Sequence, residues 1–410
     1  MKKLIMLLCL SVVFQLSFSQ KYPFPQNVKY AYGVKSSKIS NADVIKDYEK
    51  WKQDYVRMCG ETEACVIKYI NNVQTTVSEG IGYGMAITVY MGDKVLYDKF
   101  LNYYVARTNK HGMMNWIYEN CDSGDNQKNG ATDADLDVIF SLVVATKQWP
   151  NEARYKPLVN ELLDSLRKFN FIECNGIIVQ KPGDDFGGCN CSNPSYYSPA
   201  YYKVFAKFKE ELNQSESVIF WNKAAQDAYV TLLKNANPNT GLVYAWTNSE
   251  GKDPSDCYYE VSGSGTYNSY QYDACRTPWR ISMDYLWFGD KQAETWLQKI
   301  TNFVNAPVYK QVAPNGDFWY GAGGITNVVD SYWGNGLRRI DPTGVVYGHN
   351  HTIPFVGSFA LASMVSNQSK VDEGMTDFNV LPATTYYQSC LVVLYKLLAT
   401  GNFWNPYDVK

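Results

Sequence analysis

The chain of 410 residues has 38 Lys and Arg against 40 Asp and Glu, and its formal net charge is −2. This balance argues against nucleic acid as a partner and gives no reason to expect a strongly charged substrate. Aromatic residues make up 15% of the chain, which is more than a core usually needs. Aromatic faces can stack on sugar rings, and dense packing is the other use for them.

The first 19 residues predict a secretory signal peptide. Lys2 and Lys3 precede a mostly apolar stretch at positions 4–18, and Ser17-Phe18-Ser19 fits the rule of small residues at a cleavage site. The apolar stretch is too short to span a bilayer comfortably. We expect cleavage before Gln20, a secreted or periplasmic monomer, no membrane association after cleavage, and a single domain over residues 20–410. A lipoprotein anchored at Cys9 is the weaker alternative.

Nine cysteines follow the signal peptide. An odd number leaves at least one free thiol unless two chains are joined. Cys174, Cys189 and Cys191 lie in one irregular region and could include a disulfide, which secretion permits. Cys189 and Cys191 have no convincing second pair of zinc ligands, so we expect neither a metal nor a cofactor.

Two kinds of helical segment occur along the chain. Some have apolar residues at helical spacing on a polar background: Val44, Tyr48, Trp51 and Tyr55; Leu158, Leu162, Leu163 and Leu166; Ala293, Trp296, Leu297, Ile300 and Phe303. Others are apolar nearly all round: 138–145, 281–288, 355–365 and 391–398. Helices without a polar face are buried on all sides. An inner ring of buried helices inside an amphipathic ring, an all-α barrel, accounts for both kinds. A helical solenoid ranks second, because no repeat of fixed length recurs.

The stretch TVSEGIGYGM at 76–85 places Glu79 before three alternating glycines. Its spacing is not that of a dinucleotide-binding loop, and no Lys-Ser or Lys-Thr follows to make a P-loop. We therefore expect a closely packed helix with Glu79 near its N-terminus. The simpler alternative is a charge that only complements the helix dipole.

Two further carboxylate motifs precede apolar segments: ATDADLD at 131–137 and YDACRTPWR at 272–280. The first lacks the Gly and Glu that an EF-hand loop needs, so calcium is excluded. Its simpler explanation is that Thr132 or Asp133 caps the helix. In the second motif Arg276 lies three residues after Asp273 and could hold or orient it, and the simpler alternative is a buried structural ion pair.

Three predicted helix starts thus carry an acid, namely Glu79, Asp133 and Asp273. In a barrel, alternate inner helices begin at the same face, so the three could meet in one cleft. Paired carboxyl groups beside a bond are what glycoside hydrolysis requires. The helix dipole would lower the pKa of Glu79, so a proton-donor role requires burial or a neighbouring ionised Asp133 to raise it.

Four motifs, in this order, resemble those of glycoside hydrolase family 8. They are TVSEG and GYGM at 76–80 and 82–85, ATDADLD at 131–137, NPSY and SPAYY at 193–196 and 198–202, and YDACR at 272–276. The resemblance covers about residues 25–405. It implies an (α/α)6 barrel and hydrolysis with inversion of the anomeric carbon.

The resemblance also implies residue roles. Glu79 would be the general acid, Asp273 the general base acting on water, and Asp133 the group that binds and distorts the sugar. Tyr196 would help Asp273 to position the water, and Arg276 would support Asp273. The acid and base of an inverting enzyme stand roughly 6.5–9.5 Å apart.

Aromatic residues complete the expected cleft. Trp116 matches a family aromatic that stacks on a bound sugar, with core packing as the alternative, and Tyr386 and Tyr387 would also line the cleft. Asp273 favours the cellulase and xylanase branch of the family over the branch of chitosanases and lichenases that takes its base from a loop. The stretch 249–270 resembles an insertion beside the cleft, and its Glu260 keeps the chitosanase alternative open.

We therefore expect an endo-β-1,4-glucanase acting on a β-linked polysaccharide, with a xylanase second. Two alternatives come from other classes. A catalytically inactive sugar-binding protein is disfavoured by the intact Glu79 and Asp273. A polysaccharide lyase is disfavoured by the absence of net positive charge and by a total of only three histidines.

Overall fold

The computed structural model describes residues 20–255, 257, 268–339 and 348–408. Within these ranges the chain forms twelve α-helices: α1 Asn41–Tyr55, α2 Ser78–Met91, α3 Lys94–Val105, α4 Thr132–Gln148, α5 Tyr155–Phe169, α6 Pro199–Glu211, α7 Ser215–Asn235, α8 Thr277–Phe288, α9 Lys291–Asn305, α10 Ile353–Ala362, α11 Gln368–Val380 and α12 Tyr386–Thr400. The chain is predominantly helical, as expected.

Short strands connect the helices and pair in small antiparallel sheets. They are β1 Val56–Cys59, β2 Glu63–Val66, β3 Lys68–Ile70, β4 Val73–Val77, β5 Ile117–Glu119, β6 Phe171–Cys174, β7 Ile177–Gln180, β8 Ser269–Tyr270, β9 Lys310–Val312, β10 Phe318–Tyr320 and β11 Tyr332–Trp333. The sheet β3-β4-β5 leads directly into α2, and β8 pairs with β11 just before the turn that carries Asp273.

Mostly buried helices alternate with helices that have an exposed face. Helices α2, α4, α8, α10 and α12 are buried along almost their whole length, and α6 is buried over most of it. Each of these six contacts the next one along the chain, and α12 contacts α2. The four predicted apolar segments lie in α4, α8, α10 with the following 3-10 turn, and α12. The three predicted amphipathic segments lie in α1, α5 and α9.

The glycines of α2 serve close packing, as the sequence predicts. A Cβ atom on Gly82 would lie 2.9 Å from the Ala134 carbonyl oxygen and 3.0 Å from the Asp137 Cβ in α4. On Gly84 a Cβ would lie 3.1 Å from the Phe100 ring. Larger side chains would therefore push α2 away from the helices beside it, and with it the carboxyl group of Glu79.

Three disulfides link Cys59–Cys121, Cys174–Cys189 and Cys191–Cys257. The second confirms a bridge in the region where three cysteines cluster in the sequence. Cys65, Cys275 and Cys390 are buried free thiols. Across the described ranges, no helix combines the length and apolar character needed to cross a membrane.

Candidate active site

A cleft of about 570 Å³ contains the predicted acid and the predicted base. Its walls come from β3, the start of α2, the turn before α8, and the start of α12. The lining residues are Tyr55, Lys68, Tyr69, Glu79, Tyr272, Asp273, Arg276, Thr384, Thr385, Tyr386 and Tyr387. The fold thus brings together residues that are more than 300 positions apart in the chain.

Glu79 is the second residue of α2, and both of its carboxylate oxygens are hydrogen-bonded. The Tyr386 hydroxyl donates to Oε1 at 2.7 Å, and Arg276 Nη1 donates to Oε2 at 2.5 Å. The Glu79 side chain is 19% exposed. It is thus held in place while one side stays open to the cleft.

Asp133, the second residue of α4, shares the same guanidinium. Arg276 Nη1 donates to Asp133 Oδ2 at 2.7 Å, and Arg276 Nη2 donates to the Ser195 hydroxyl at 3.2 Å. Asp133 is buried, and its Oδ1 atom has no hydrogen-bond partner within the described part of the chain. This oxygen is an unused hydrogen-bond acceptor that is closed to solvent.

The capping explanation of the ATDADLD motif is wrong, because each of its aspartates has a partner outside the first turn. The N-cap of α4 is Ala131, and no side chain among the described residues caps the helix. Asp135 accepts a hydrogen bond from the Tyr104 hydroxyl at 2.7 Å. Asp137 pairs with Arg280 through two hydrogen bonds of 2.5 and 2.7 Å. The motif therefore anchors α4 to its neighbours at three points.

The pKa of Glu79 is raised above its usual range, chiefly because burial disfavours the carboxylate form. The negative charge of Asp133 acts in the same direction, while Arg276 and the Tyr386 hydrogen bond oppose it. The pKa of Asp133 is also raised, again chiefly by burial. A proton donor at position 79 requires a raised pKa, because the helix dipole alone would lower it, and the pKa of Glu79 is raised.

Asp273 has a different environment. It lies in a turn before α8, where Trp246 Nε1 and Gln271 Nε2 both donate to its Oδ2 atom, at 3.2 and 3.3 Å. The predicted support of Asp273 by Arg276 is wrong. Helix α8 begins only at Thr277, so the three-residue spacing does not span a helical turn, and Arg276 is directed to Glu79 and Asp133 instead.

The remaining predicted site residues are three aromatic side chains, Tyr196, Tyr387 and Trp116. Tyr196 lies beside Arg276, whose Cζ atom is 5.1 Å from the ring centroid. Burial, followed by the charge of Asp133, raises the pKa of Tyr196 well above its usual value.

Tyr387 contacts the Cys275 thiol at 3.4 Å. Trp116 is 38% exposed, which rules out core packing, and its carbonyl accepts the Ser78 N–H at 2.9 Å. Trp116 therefore lies next to the start of α2.

Two clusters of described residues outside the cleft have the residue types of a metal site. One consists of Cys59, Cys65 and Cys121, of which Cys59 and Cys121 form a disulfide. In the other, His111, Asp184 and Asp185 bring ligand-type atoms within 4.8 Å of one another. Both Asp184 oxygens already accept hydrogen bonds, from the Gly130 N–H at 2.6 Å and from Asn109 Nδ2 at 2.7 Å. These contacts hold the segment that enters α4.

A family model named Glycosyl hydrolases family 8 matches residues 22–318 of this chain. The chain belongs to this family. It is accordingly a glycoside hydrolase, as the four sequence motifs predict.

Relatives within the family cover nearly the whole chain. Endoglucanase 2 of Ruminiclostridium josui is 31% identical over 96% of this chain and 79% of its own length. Endoglucanase C of Ruminiclostridium cellulolyticum is 30% identical over 95% of this chain and 79% of its own length. The apo structure of a β-1,3-1,4-glucanase from Paenibacillus sp. X4 superposes with a TM-score of 0.77 at 23% identity, covering 94% of this chain and all of that one.

Several residues of this family 8 site are not predicted from the sequence, among them two that contact Asp273 and two that line the cleft. Trp246 and Gln271 bind the Asp273 carboxylate, and Lys68 and Tyr272 line the cleft. Gln271 lies two residues before Asp273, so its proximity was visible in the sequence. The sequence does not indicate the contact between Trp246 and Asp273, because only the tertiary structure brings the two residues together. Glu260 lies outside the described residues.

Proposed function

We propose that the protein is an exported, inverting endo-β-1,4-glucanase with Glu79 as general acid and Asp273 as general base. The observation that carries the proposal is the unlike surroundings of two carboxyl groups in one cleft. Glu79 is largely buried beside Asp133, and its pKa is raised. Asp273 accepts two N–H hydrogen bonds on one carboxylate oxygen, from Trp246 and Gln271. Different surroundings of two carboxyl groups are what separate an acid from a base.

In this mechanism the proton on Glu79 goes to the glycosidic oxygen as the bond to the anomeric carbon breaks. Asp273 removes a proton from a water molecule that attacks this carbon from the opposite face, so the configuration inverts. Asp133 would accept a hydrogen bond from a sugar hydroxyl in the distorted ring. Arg276 holds Glu79 and Asp133 at a fixed spacing.

The proton of this pair is assigned to Glu79 because of its position. Glu79 lines the cleft, and its side chain is 19% exposed. The Asp133 side chain is 4% exposed and is held by Arg276 at 2.7 Å. Asp133 is thus the better candidate for the permanent carboxylate.

We further propose that the six buried helices form the inner ring of an (α/α)6 barrel in a single catalytic domain. Support comes from the circle of contacts that runs from α2 through α4, α6, α8, α10 and α12 back to α2. Export through the leader at positions 1–19 is supported by the three disulfides, because such bonds persist in oxidising compartments.

A neutral β-glucan is the substrate class that best fits the cleft. Apart from Glu79 and Asp273, the charged side chains among the described lining residues are the cations Lys68 and Arg276. A chitosan chain, whose amino groups are cationic, would find no additional counter-charge there. Relatives named endoglucanase at 30–31% identity support the same assignment.

The test compares wild type, Glu79→Gln and Asp273→Asn on carboxymethyl cellulose, barley β-glucan, xylan and chitosan, with reducing ends as the readout. We expect activity on the glucans that each substitution lowers by at least about a hundredfold, since general acid–base catalysis contributes this much or more. Proton NMR of the first-formed product should show the α-anomer.

Glu61→Gln and Asp317→Asn are matched controls at exposed positions and should retain full activity. A fully active Asp273→Asn enzyme would contradict the assignment of the base. Activity confined to xylan or chitosan would overturn the substrate, and an initial β-anomer would overturn inversion. Binding without hydrolysis of any of the four would favour a sugar-binding protein.

A further inference from the structure

We propose that Trp246 is a positioning residue for the catalytic base. Its indole N–H would fix the Asp273 carboxylate so that only one oxygen remains to accept the proton from water. This inference rests on the proposed role of Asp273 as the base and concerns a residue that no sequence motif points to.

The hydrogen bonds at Asp273 distinguish its two oxygens. Trp246 Nε1 and Gln271 Nε2 both donate to Oδ2, at 3.2 and 3.3 Å. The Gln271 Oε1 atom accepts the backbone N–H of Asp273 at 3.0 Å, which fixes the orientation of this amide. Over the described ranges Oδ1 has no hydrogen-bond partner, so it is the oxygen left to act on a water molecule.

Trp246 is well placed for this role because its backbone is held on both sides. The preceding residue, Ala245, donates its N–H to the Ser269 carbonyl of β8 at 3.0 Å. The following residue, Thr247, exchanges two backbone hydrogen bonds with Ser192, at 2.7 and 3.0 Å. Strand β8 leads to Asp273, and Ser192 leads to Tyr196. Trp246 therefore lies between the two segments that carry the base and the tyrosine.

The ring of Trp246 also contacts Tyr196 directly. The two ring centroids are 6.5 Å apart and the planes are inclined by 61°, an edge-to-face arrangement. Trp246 is only 6% exposed. A buried indole between Tyr196 and Asp273 can hold both side chains in position relative to the water that attacks the sugar. It can do so without contacting the sugar itself.

Loss of the indole N–H should therefore affect the chemical step more than substrate binding. Gln271 would still hold Oδ2, but the carboxylate could rotate away from the direction of attack. A hydrogen bond to a charged group contributes enough for about a tenfold effect on rate. We expect kcat to fall about tenfold and KM to stay within about twofold.

Two replacements at position 246 test the proposal. Trp246→Phe removes the donor and keeps an aromatic ring beside Tyr196. Incorporation of β-(3-benzothienyl)alanine keeps the bicyclic shape and removes only the N–H group, which guards against misfolding of the phenylalanine variant. Trp296→Phe is the matched control, because Trp296 is 2% exposed in α9 and its Nε1 atom has no partner among the described residues.

We expect both replacements at 246 to lower kcat and Trp296→Phe to leave it within about twofold. A double-mutant cycle with Asp273→Asn then asks whether Trp246 acts through the base. If it does, Trp246→Phe will cause no further loss in the Asp273→Asn background. A multiplicative loss would overturn the proposal, since Trp246 would then act independently of Asp273.

The outcomes also separate this inference from the proposed function. If Asp273→Asn is inactive but the benzothienyl enzyme has the wild-type kcat, the indole N–H has no role and only the inference fails. If Asp273→Asn is fully active, the base itself is misassigned and the inference fails with it.

Discussion

The ionisation of Glu79 depends on neighbours that act in opposite directions. Burial and the charge of Asp133 raise its pKa, whereas Arg276, the Tyr386 hydroxyl and Lys68 lower it. Glu79 is the proposed general acid and must then be protonated in the free enzyme, so the upper pH limit of kcat/KM should follow its pKa. Substitutions of individual neighbours should therefore move this limit in predictable directions.

Tyr386→Phe and Asp133→Asn should shift the basic limb of the pH profile in opposite directions. Tyr386 donates to ionised Glu79 at 2.7 Å, so its loss raises the pKa of the acid and moves the limb to higher pH. Asn at 133 removes a negative charge that disfavours ionisation of Glu79, so the pKa falls and the limb moves to lower pH. The measurement is kcat/KM against pH on a soluble glucan.

Tyr407→Phe is a suitable control, because Tyr407 lies near Glu211 and Lys147 and does not line the cleft. Its pH profile should match that of the wild type. Shifts in the same direction for Tyr386→Phe and Asp133→Asn would contradict the assignment of the basic limb to Glu79.

The sequence predicts residues whose role follows from local position. Glu79 and Asp133 stand at helix starts, and their convergence follows from that placement. The partner of Arg276 was predicted wrongly, because its spacing from Asp273 was interpreted as helical where the chain forms a turn. Trp246 could not be predicted, since its contact with Asp273 depends on the pairing of residues 245 and 247 with two distant segments.

At the scale of helices, the first two turns of α4 and the start of α8 are joined by two successive ion pairs. Asp133 and Asp137 are one turn apart in α4, and Arg276 and Arg280 have the same spacing at the start of α8. The outer pair borders the cleft. The inner pair is fully buried and fixes the relative position of the two helices, while Gly82 lets α2 approach α4 closely.

Arg280→Met should destabilise the protein by about 3–5 kcal/mol, because it leaves the buried Asp137 carboxylate without its bidentate partner. The double variant Asp137→Leu/Arg280→Met removes both charges and should recover much of this loss. Urea unfolding followed by tryptophan fluorescence measures both values. Equal destabilisation in the single and double variants would show that packing, rather than the ion pair, accounts for the loss.

The pattern of apolar residues predicted α4, α8, α10 and α12 as buried helices because each has a nearly continuous apolar run. The same pattern did not predict α6 as a buried helix, since Lys203, Lys207 and Lys209 interrupt its apolar run. The structure shows that Lys209 reaches Asp164, and Lys203 reaches Asp284 in α8. Charged residues that form ion pairs with neighbouring helices make a largely buried helix look amphipathic.

At the scale of the whole molecule, the segment before α1 is held against the end of α12. The Val28 and Ser36 N–H groups donate to the carbonyls of Gly401 and Ala399, at 2.8 and 3.0 Å. The Tyr30 hydroxyl donates to the Leu398 carbonyl at 2.9 Å. These contacts join the two ends of the described chain on α12, a helix that also carries Tyr386 in the cleft.

Asn402 adds three hydrogen bonds to this connection. Its Oδ1 atom accepts the N–H groups of Gln26 and Asn27 at 2.8 and 3.0 Å, and its Nδ2 atom donates to Asn41 Oδ1 at 2.9 Å. Asn402→Ala should lower the free energy of unfolding by about 2–3 kcal/mol, because these partly buried groups lose their partners.

Activity at 25 °C should not change in the Asn402→Ala enzyme, since Asn402 does not line the cleft. Asn327→Ala is the control, because the exposed Asn327 side chain makes a single hydrogen bond within the described ranges, to the Gly323 carbonyl at 2.7 Å. Urea unfolding and kcat, measured on the same preparations, distinguish the two effects. A large loss of kcat in a still folded Asn402→Ala enzyme would mean that the joined ends control the geometry of the cleft through α12, and that they do more than stabilise the fold.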